Sequence, residues 1–128
     1  MSPPTSTPPL LVACLCARWC RTCESYRETL VATCGALRET HPEAALRTMW
    51  VDIEDESELT GDLDIEDFPT ILVARDDAVL FFGPILPHAQ TLDRLVRSFL
   101  DDAAARPRVD AHEDVLALPG RLRGHATI

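Results

Sequence analysis

The sequence contains no lysine, and its other absences also limit what the protein can do. All 12 basic residues are arginine, against 21 acidic residues, so the formal net charge is −9. Nucleic acid and anionic membranes attract basic surfaces, so neither is expected as a partner. The absence of lysine by itself indicates no function.

The sequence also lacks a long apolar stretch and a basic N-terminus. No window reaches the roughly 18 apolar residues of a membrane span. Residues 1–9 contain four prolines and no basic residue, and only four apolar residues precede Cys14. A secretory signal needs a basic start and about 7–15 apolar residues, so the lipoprotein-like motif at residues 11–14 is not expected to be cleaved. We predict instead that residues 1–9 are disordered.

An even set of cysteines is absent too. The chain has five cysteines in 128 residues, whereas a secreted disulfide scaffold more often has an even number in a shorter chain. An odd set with one Cys-x-x-Cys motif fits a cytoplasmic protein with reduced thiols and one working pair.

The apolar pattern predicts one domain over residues 10–105, with residues 106–128 as a partly irregular C-terminal extension. The predicted order of elements is β-α-β-α-β-β-α. Strands are expected at 10–17, 45–53, 68–74 and 79–82, and helices at 20–41, 58–63 and 92–100, with Thr91 as the last N-cap and a possible short helix at 112–118.

The most distinctive pair is Cys20 and Cys23, which lie between the first apolar run and a segment with helical spacing. If a helix begins at Cys20, both sulfurs belong to its first turn. They are then close enough to form a disulfide or to share a metal. Amide groups at a helix start favour a thiolate over a thiol, so the pair is predicted to be reactive.

Two motifs carry a resemblance to a known family. The first is Trp19-Cys20-Arg21-Thr22-Cys23 between a strand and a helix, and the second is Phe68-Pro69-Thr70, which opens a later strand before a hairpin and a final helix. Over residues 10–103 this arrangement resembles the thioredoxin family. The resemblance implies a thioredoxin-like α/β fold, a three-layer α/β/α sandwich with a central mixed sheet of about four strands.

The resemblance also implies roles for these residues. Cys20 would be the exposed nucleophile and Cys23 the more buried resolving thiol, and Pro69 would be a cis proline facing the pair. The implied activity is thiol–disulfide exchange on protein disulfides, with no cofactor beyond a reductase or another electron donor. Active-site support is assigned to Trp19, Arg21, Thr22 and Pro69, and binding of an extended substrate segment to Trp19, Phe68, Pro69 and Thr70.

The sequence departs from the family in several places. Cys14 stands where the family carries a buried carboxylate, and Trp50 stands at the position of the lysine that pairs with it, so the proton relay is expected to be absent. The family's first strand and helix are not expected either. Arg21 replaces a glycine between the cysteines. Its charge should lower the pKa of Cys20 and make the pair more oxidising.

Alternative interpretations stay open at this point. Cys14 and Cys16 lie on one side of the first strand, as core residues or as supporting redox groups, and Cys34 is expected in the core. Together with Cys20 and Cys23, the strand pair could also supply four thiolates to a metal, although no metal is expected. The domain could finally be a binding module without catalysis.

Overall fold

A four-stranded mixed sheet organises the protein, with strands in the order β2-β1-β3-β4. The computed structural model describes residues 9–17, 21–55, 57–61, 65, 69–76, 78–101, 113–123 and 128. The strands are β1 (Leu10–Cys16), β2 (Arg47–Asp52), β3 (Thr70–Arg75) and β4 (Ala78–Pro84). The helices are α1 (Arg21–Thr40), α2 (Ser57–Thr60), α3 (Ala89–Leu100) and α4 (Glu113–Arg121), with a 3₁₀ turn at Pro42–Ala44.

Strand β1 lies at the centre of the sheet. It pairs in parallel with β2 and antiparallel with β3. A parallel pair needs a crossover connection, which α1 supplies, whereas β3 and β4 are joined by a tight hairpin. All residues of β1 except Leu11 are buried. The strand expected at residues 10–17 is therefore confirmed, and both of its faces are covered.

Helices α1 and α3 cover one face of the sheet. The buried residues of α1 are the five with the predicted spacing, namely Cys23, Tyr26, Leu30, Cys34 and Leu37. They pack with Leu92 and Val96 of α3 against the face of β1 that carries Val12, Cys14 and Cys16. The predicted helical face is therefore confirmed.

Helix α4 contributes to the opposite face. Its Val115 and Leu118, with the following Leu122, pack in one cluster with Leu15 of β1 and Met49 of β2. Arg121 links the helix to α2, because its side chain donates to the Leu59 carbonyl at 3.1 Å. It also donates to the Asp114 carboxylate within α4 at 2.7 Å. Residues 113–123 of the extension therefore belong to the core, and the predicted three-layer arrangement is confirmed.

Two helix ends differ from the sequence prediction. Helix α3 begins at Ala89 with His88 as its N-cap, so the prediction of Thr91 as the cap is wrong. The backbone of His88 is extended, and its carbonyl already accepts from Thr91 N at 3.1 Å, which places Thr91 inside the first turn. Helix α2 ends at Thr60 because Gly61 adopts a left-handed φ of 59°.

Candidate redox site

The site lies at the connection between the end of β1 and the start of α1. Cys16 is the last residue of β1, and Cys23 lies in the first turn of α1. A disulfide joins these two residues, with their Cα atoms 5.7 Å apart, within the usual range for such a bond. Both are only 1 % exposed. A cysteine of the Cys-x-x-Cys motif is thus bonded to one from the strand that precedes it.

The remaining residues of the motif are placed only in part. Arg21 and Thr22 are exposed at the start of α1. Trp19, Cys20 and Phe68 lie outside the described residues, so their roles stay predictions. The structure therefore shows Cys23 bonded to Cys16. The pairing of Cys23 with Cys20 stays a prediction.

Pro69 and Thr70 lie at the same end of the sheet as the disulfide. Thr70 is the register partner of Leu15, and both it and the preceding Pro69 are buried. The Pro69 carbonyl accepts a hydrogen bond from Ile85 N at 3.1 Å, which holds the start of β3 against the segment after β4. The role of Pro69 beside the cysteines and its cis peptide both remain predictions.

A third sulfur lies beside the disulfide. The Sγ atom of Cys14 is 3.5 Å from that of Cys16. Because Cys16 is in a disulfide and carries no proton, the Cys14 thiol is the donor. Cys14 is fully buried. Burial raises the pKa of its thiol far above the ordinary value, and the neighbouring Cys34 adds to this. Cys14 therefore stays protonated at neutral pH.

Cys34 is a second buried thiol, further along α1. Burial raises its pKa from the ordinary 9.0 to about 11, although a hydrogen bond with Thr48 and the charge of Arg38 act in the opposite direction. Arg38 also donates to the Thr48 hydroxyl at 3.1 Å. The hydroxyl of Tyr26 is buried and has no hydrogen-bond partner within the described part of the chain. This region has the properties of a core, as was expected for Cys34.

An open cleft of about 380 Å³ borders the disulfide on the side of Cys23. The guanidinium carbon of Arg27 lies 5.6 Å from the centre of the Trp50 ring, within the range of a cation–π contact. The cleft is lined by Cys23, Arg27, Trp50 and Ala17, with the carboxylates of Glu24, Asp52 and Asp55. Cys23 therefore borders the cleft, although it is only 1 % exposed.

Sequence reasoning placed Cys16 on the correct face of β1 but left its bonding open. Alternation along the strand put Cys14 and Cys16 on one side, and that side faces α1. The signal that could have identified Cys16 is its position at the end of the strand, immediately before the motif. Among the described residues, no group of three or more histidine, cysteine or acidic side chains could hold a metal ion.

No model of a known protein family matches the sequence, and no curated protein matches it either. Solved structures do. One is the germline-specific thioredoxin Deadhead of Drosophila melanogaster, with 19 % identity and a TM-score of 0.57 over 71 % of this chain and 81 % of that one. Another is the thioredoxin of Fasciola hepatica, with 18 % identity and a TM-score of 0.53 over 75 % and 82 % of the two chains.

The zinc-bound form of human ERp44 is similar as well, with 18 % identity and a TM-score of 0.64. That match covers 74 % of this chain but only 28 % of the ERp44 chain. At 18–19 % identity, these matches show a similar backbone fold and no close relationship in sequence. Together with the sheet order and the position of Cys23, they show that this chain has a thioredoxin-like fold.

Proposed function

We propose that the protein is a thiol–disulfide oxidoreductase that acts on protein disulfides through Cys20 and Cys23. The observation that best supports this is the disulfide of Cys23, which lies in the first turn of α1 directly after the central strand. Helix-start amides stabilise a thiolate at this place, and the thiolate is the nucleophile in disulfide exchange.

The proposed reaction has two exchange steps. The Cys20 thiolate attacks a substrate disulfide, which forms a mixed disulfide and releases one substrate thiolate. The Cys23 thiolate then attacks the Cys20 sulfur, which forms a Cys20–Cys23 bond and releases the second substrate thiolate. Two electrons pass to the substrate, and a reductase or another thiol donor returns them to the protein.

Substrate binding is assigned to the end of the sheet that carries the cysteines. The buried Pro69 and Thr70 lie at this end beside Leu15 of β1, and we assign Trp19 and Phe68 to the same surface. An extended segment of a protein substrate would lie there. A cytoplasmic location is part of the proposal and rests on the odd number of cysteines. None of the helices among the described residues is long and apolar enough to cross a membrane.

Reduction of insulin by dithiothreitol tests the proposal. We expect the wild type to accelerate the precipitation of insulin chains, and the variants Cys20→Ser and Cys23→Ser to lose this acceleration. Cys34→Ser is the matched control, because Cys34 is a free buried thiol with no part in the proposed exchange, and the variant should retain the activity. Full activity in Cys20→Ser would refute the proposed mechanism.

A binding module without catalysis is the second candidate. It is favoured by the pairing of Cys14 with Trp50 across β1 and β2, because neither residue is an acid or base at neutral pH that could assist thiol exchange. An inactive wild type in the insulin assay would support this alternative. The metal alternative is weakened because the disulfide withdraws Cys16 and Cys23 as thiolate ligands. Zinc retained by the reduced protein would revive it.

A further inference from the structure

The disulfide of this protein is not confined to the Cys-x-x-Cys motif. The bonded residues are Cys16 and Cys23, and a cysteine sulfur makes only one disulfide bond. While this bond exists, Cys20 cannot be bonded to Cys23. The oxidised chain therefore has a state in which Cys23 is bonded to Cys16 and not to Cys20, the predicted nucleophile.

We propose that Cys16 is a third catalytic cysteine, which takes the disulfide over from Cys20 after each reduction of substrate. The proposal rests on the proposed function, because that reaction supplies the Cys20–Cys23 bond. The Cys16 thiolate attacks the Cys23 sulfur, and a Cys16–Cys23 bond forms. The Cys20–Cys23 bond breaks, its electron pair leaves on Cys20, and the proton lost by Cys16 ends there. No electron enters or leaves the protein in this step.

The position of Cys16 is fixed by the sheet. Its carbonyl accepts a hydrogen bond from Ile53 N at 3.0 Å, and it is the register partner of Asp52 on β2. The Cα atoms of Cys16 and Cys23 are 5.7 Å apart, a separation that an ordinary disulfide spans. The transfer therefore requires no displacement of β1 or α1.

Cys14 assists the exchange as a positioning residue. Its thiol donates to the Cys16 sulfur at 3.5 Å, and a hydrogen bond stabilises negative charge on a sulfur that attacks or leaves. Cys14 itself remains a thiol, because burial and the neighbouring Cys34 both raise its pKa, whereas Cys16 has the hydrogen bond from Cys14 to offset its burial. Only a thiolate attacks a disulfide. Cys14 should therefore not replace Cys16 in the disulfide with Cys23.

The transfer changes what Cys20 does next. In the Cys16–Cys23 state, Cys20 is a single thiol that can form a mixed disulfide with a substrate, but Cys23 cannot resolve it. Cys23 borders the cleft, so a donor thiol attacks the Cys23 sulfur, forms a mixed disulfide with it and releases Cys16. A second donor thiol then attacks the sulfur of the first donor, which releases the Cys23 thiolate and restores the dithiol.

Trypsin makes the bond directly observable, because Arg18, Arg21 and Arg27 separate the three cysteines. The full-length protein is oxidised with oxidised dithiothreitol, quenched in acid, alkylated with iodoacetamide, digested and analysed by mass spectrometry. In the wild type we expect peptide 1–18 linked to peptide 22–27, with peptide 19–21 alkylated. A link between peptides 19–21 and 22–27 in the oxidised wild type would overturn the proposal.

Variants identify the bonded sulfur. In Cys16→Ser, peptide 19–21 should lose its alkylation and become linked to peptide 22–27, and Cys16→Ala repeats the test if the hydroxyl disturbs the strand. In Cys14→Ser, the link of the wild type should persist, and its loss there would exclude Cys16 as the partner. Cys20→Ser leaves β1 unchanged and should keep the link, so failure of that link also counts against Cys16.

The mass spectrometry tests the role of Cys16, and the insulin assay tests the proposed function, so either hypothesis can fail without the other. An inactive wild type that carries the Cys16–Cys23 link would reject the proposed function while leaving the bond assignment in place. An active wild type with a Cys20–Cys23 link would keep the function and reject the role of Cys16. If both hold, Cys16→Ser should shift the reduction midpoint measured in a dithiothreitol redox series, because a different bond is then titrated.

Discussion

Cys14 of the central strand β1 and Trp50 of the edge strand β2 are direct register partners in the parallel pair. The sequence comparison assigned these positions to the carboxylate and the lysine of the thioredoxin family. The structure places the two residues side by side. A buried thiol and a half-buried indole occupy these positions, so in the proposed reaction neither residue supplies a carboxylate or an ammonium group to the second exchange step.

Cys14 and Cys34 should resist alkylation in the native protein. Both are fully buried, and burial raises the pKa of each thiol, so little thiolate is present at pH 8. Treatment with iodoacetamide at pH 8 should leave both unmodified, and treatment in denaturant should modify both. Rapid native alkylation of either residue would show that this part of the core opens readily.

The stability of the protein should fall as the pH rises above about 9. The pKa of Cys34 is 9.0 for an ordinary thiol and about 11 in the fold, so the folded state holds this proton more tightly than the unfolded state. The stabilisation is present below pH 9 and is lost as the pH rises through 11. Since one pH unit corresponds to about 1.4 kcal/mol, the loss is at most about 3 kcal/mol.

Cys34→Ala is the variant that isolates this effect. Urea unfolding in dithiothreitol, which prevents disulfide scrambling, should show a shallower decline between pH 9 and 11 in the variant than in the wild type. Cys14 and Tyr26, whose pKa values burial also raises, contribute to the decline in both proteins. Equal slopes would mean that Cys34 ionises as freely in the fold as outside it.

Arg21→Gln should make the Cys-x-x-Cys pair more reducing. Arg21 is exposed at the start of α1, next to Cys20 in sequence, and its charge stabilises a thiolate and hence the reduced form. The shift should be larger in a Cys16→Ser background, because the bond that is titrated there includes Cys20. In the wild type the proposed bond joins Cys16 to Cys23, so Cys20 is a free thiol before and after reduction. Redox titration measures both shifts.

Arg47→Gln is the matched control for this charge. Arg47 is exposed on β2 and pairs in register with Leu11, at the opposite end of the parallel strands from Cys16. The substitution Arg47→Gln removes one positive charge, as Arg21→Gln does, at a position far from the disulfide. If Arg21→Gln moves the midpoint no more than Arg47→Gln does, the local effect of Arg21 is disproved.

Leu118→Ala should strongly destabilise the fold, although it lies in the C-terminal extension. Leu118 is 1 % exposed in the core cluster of the second sheet face, and truncation of such a leucine costs about 2–5 kcal/mol. Leu116 lies on the same helix but is 49 % exposed, so Leu116→Ala should change the stability by less than about 0.5 kcal/mol. Denaturant unfolding compares the two, and equal losses would contradict the packing of α4.

Gly61→Ala should weaken the joint between α2 and α4. Gly61 has a left-handed φ of 59°, and an added Cβ would lie 2.7 Å from the carboxylate of Asp114, which Arg121 already holds at 2.7 Å. The left-handed backbone alone costs about 1–2 kcal/mol for a residue with a side chain. Thermal or urea unfolding should show at least this loss.

Gly35→Ala provides the opposite case within α1. An added Cβ at Gly35 meets nothing within 4 Å, and alanine is a better helix former by up to about 1 kcal/mol. The variant should be as stable as the wild type or more stable. A loss comparable to that of Gly61→Ala would show that the substitution itself, rather than the contact with Asp114, causes the effect.

The sequence predicted the sheet and the main helices because their apolar periodicity is strong. The run at residues 10–17 has no polar interruption of its strand pattern, and the buried face of α1 follows the helical period without a gap. These patterns determine which face of an element is buried. They do not determine which residue of another element it meets, so periodicity alone did not predict the bond between Cys16 and Cys23.

Helix α4 shows where local signals mislead. Pro119 lies inside it, and a proline in a helix removes a backbone donor and is unfavourable locally. The sequence therefore predicted a shorter helix and an irregular segment. Burial of Val115, Leu118 and Leu122 against the sheet outweighs this cost, and only the assembled fold reveals that contribution.

Helix α4 follows every strand in the chain, and this has a consequence for production of the domain. Without residues 113–123, the sheet face that carries Leu15, Met49 and Leu72 loses the packing of Val115, Leu118 and Leu122. A chain cut at residue 105, the boundary that the sequence suggests, would keep every cysteine yet expose this face to water. We expect such a fragment to self-associate through that face.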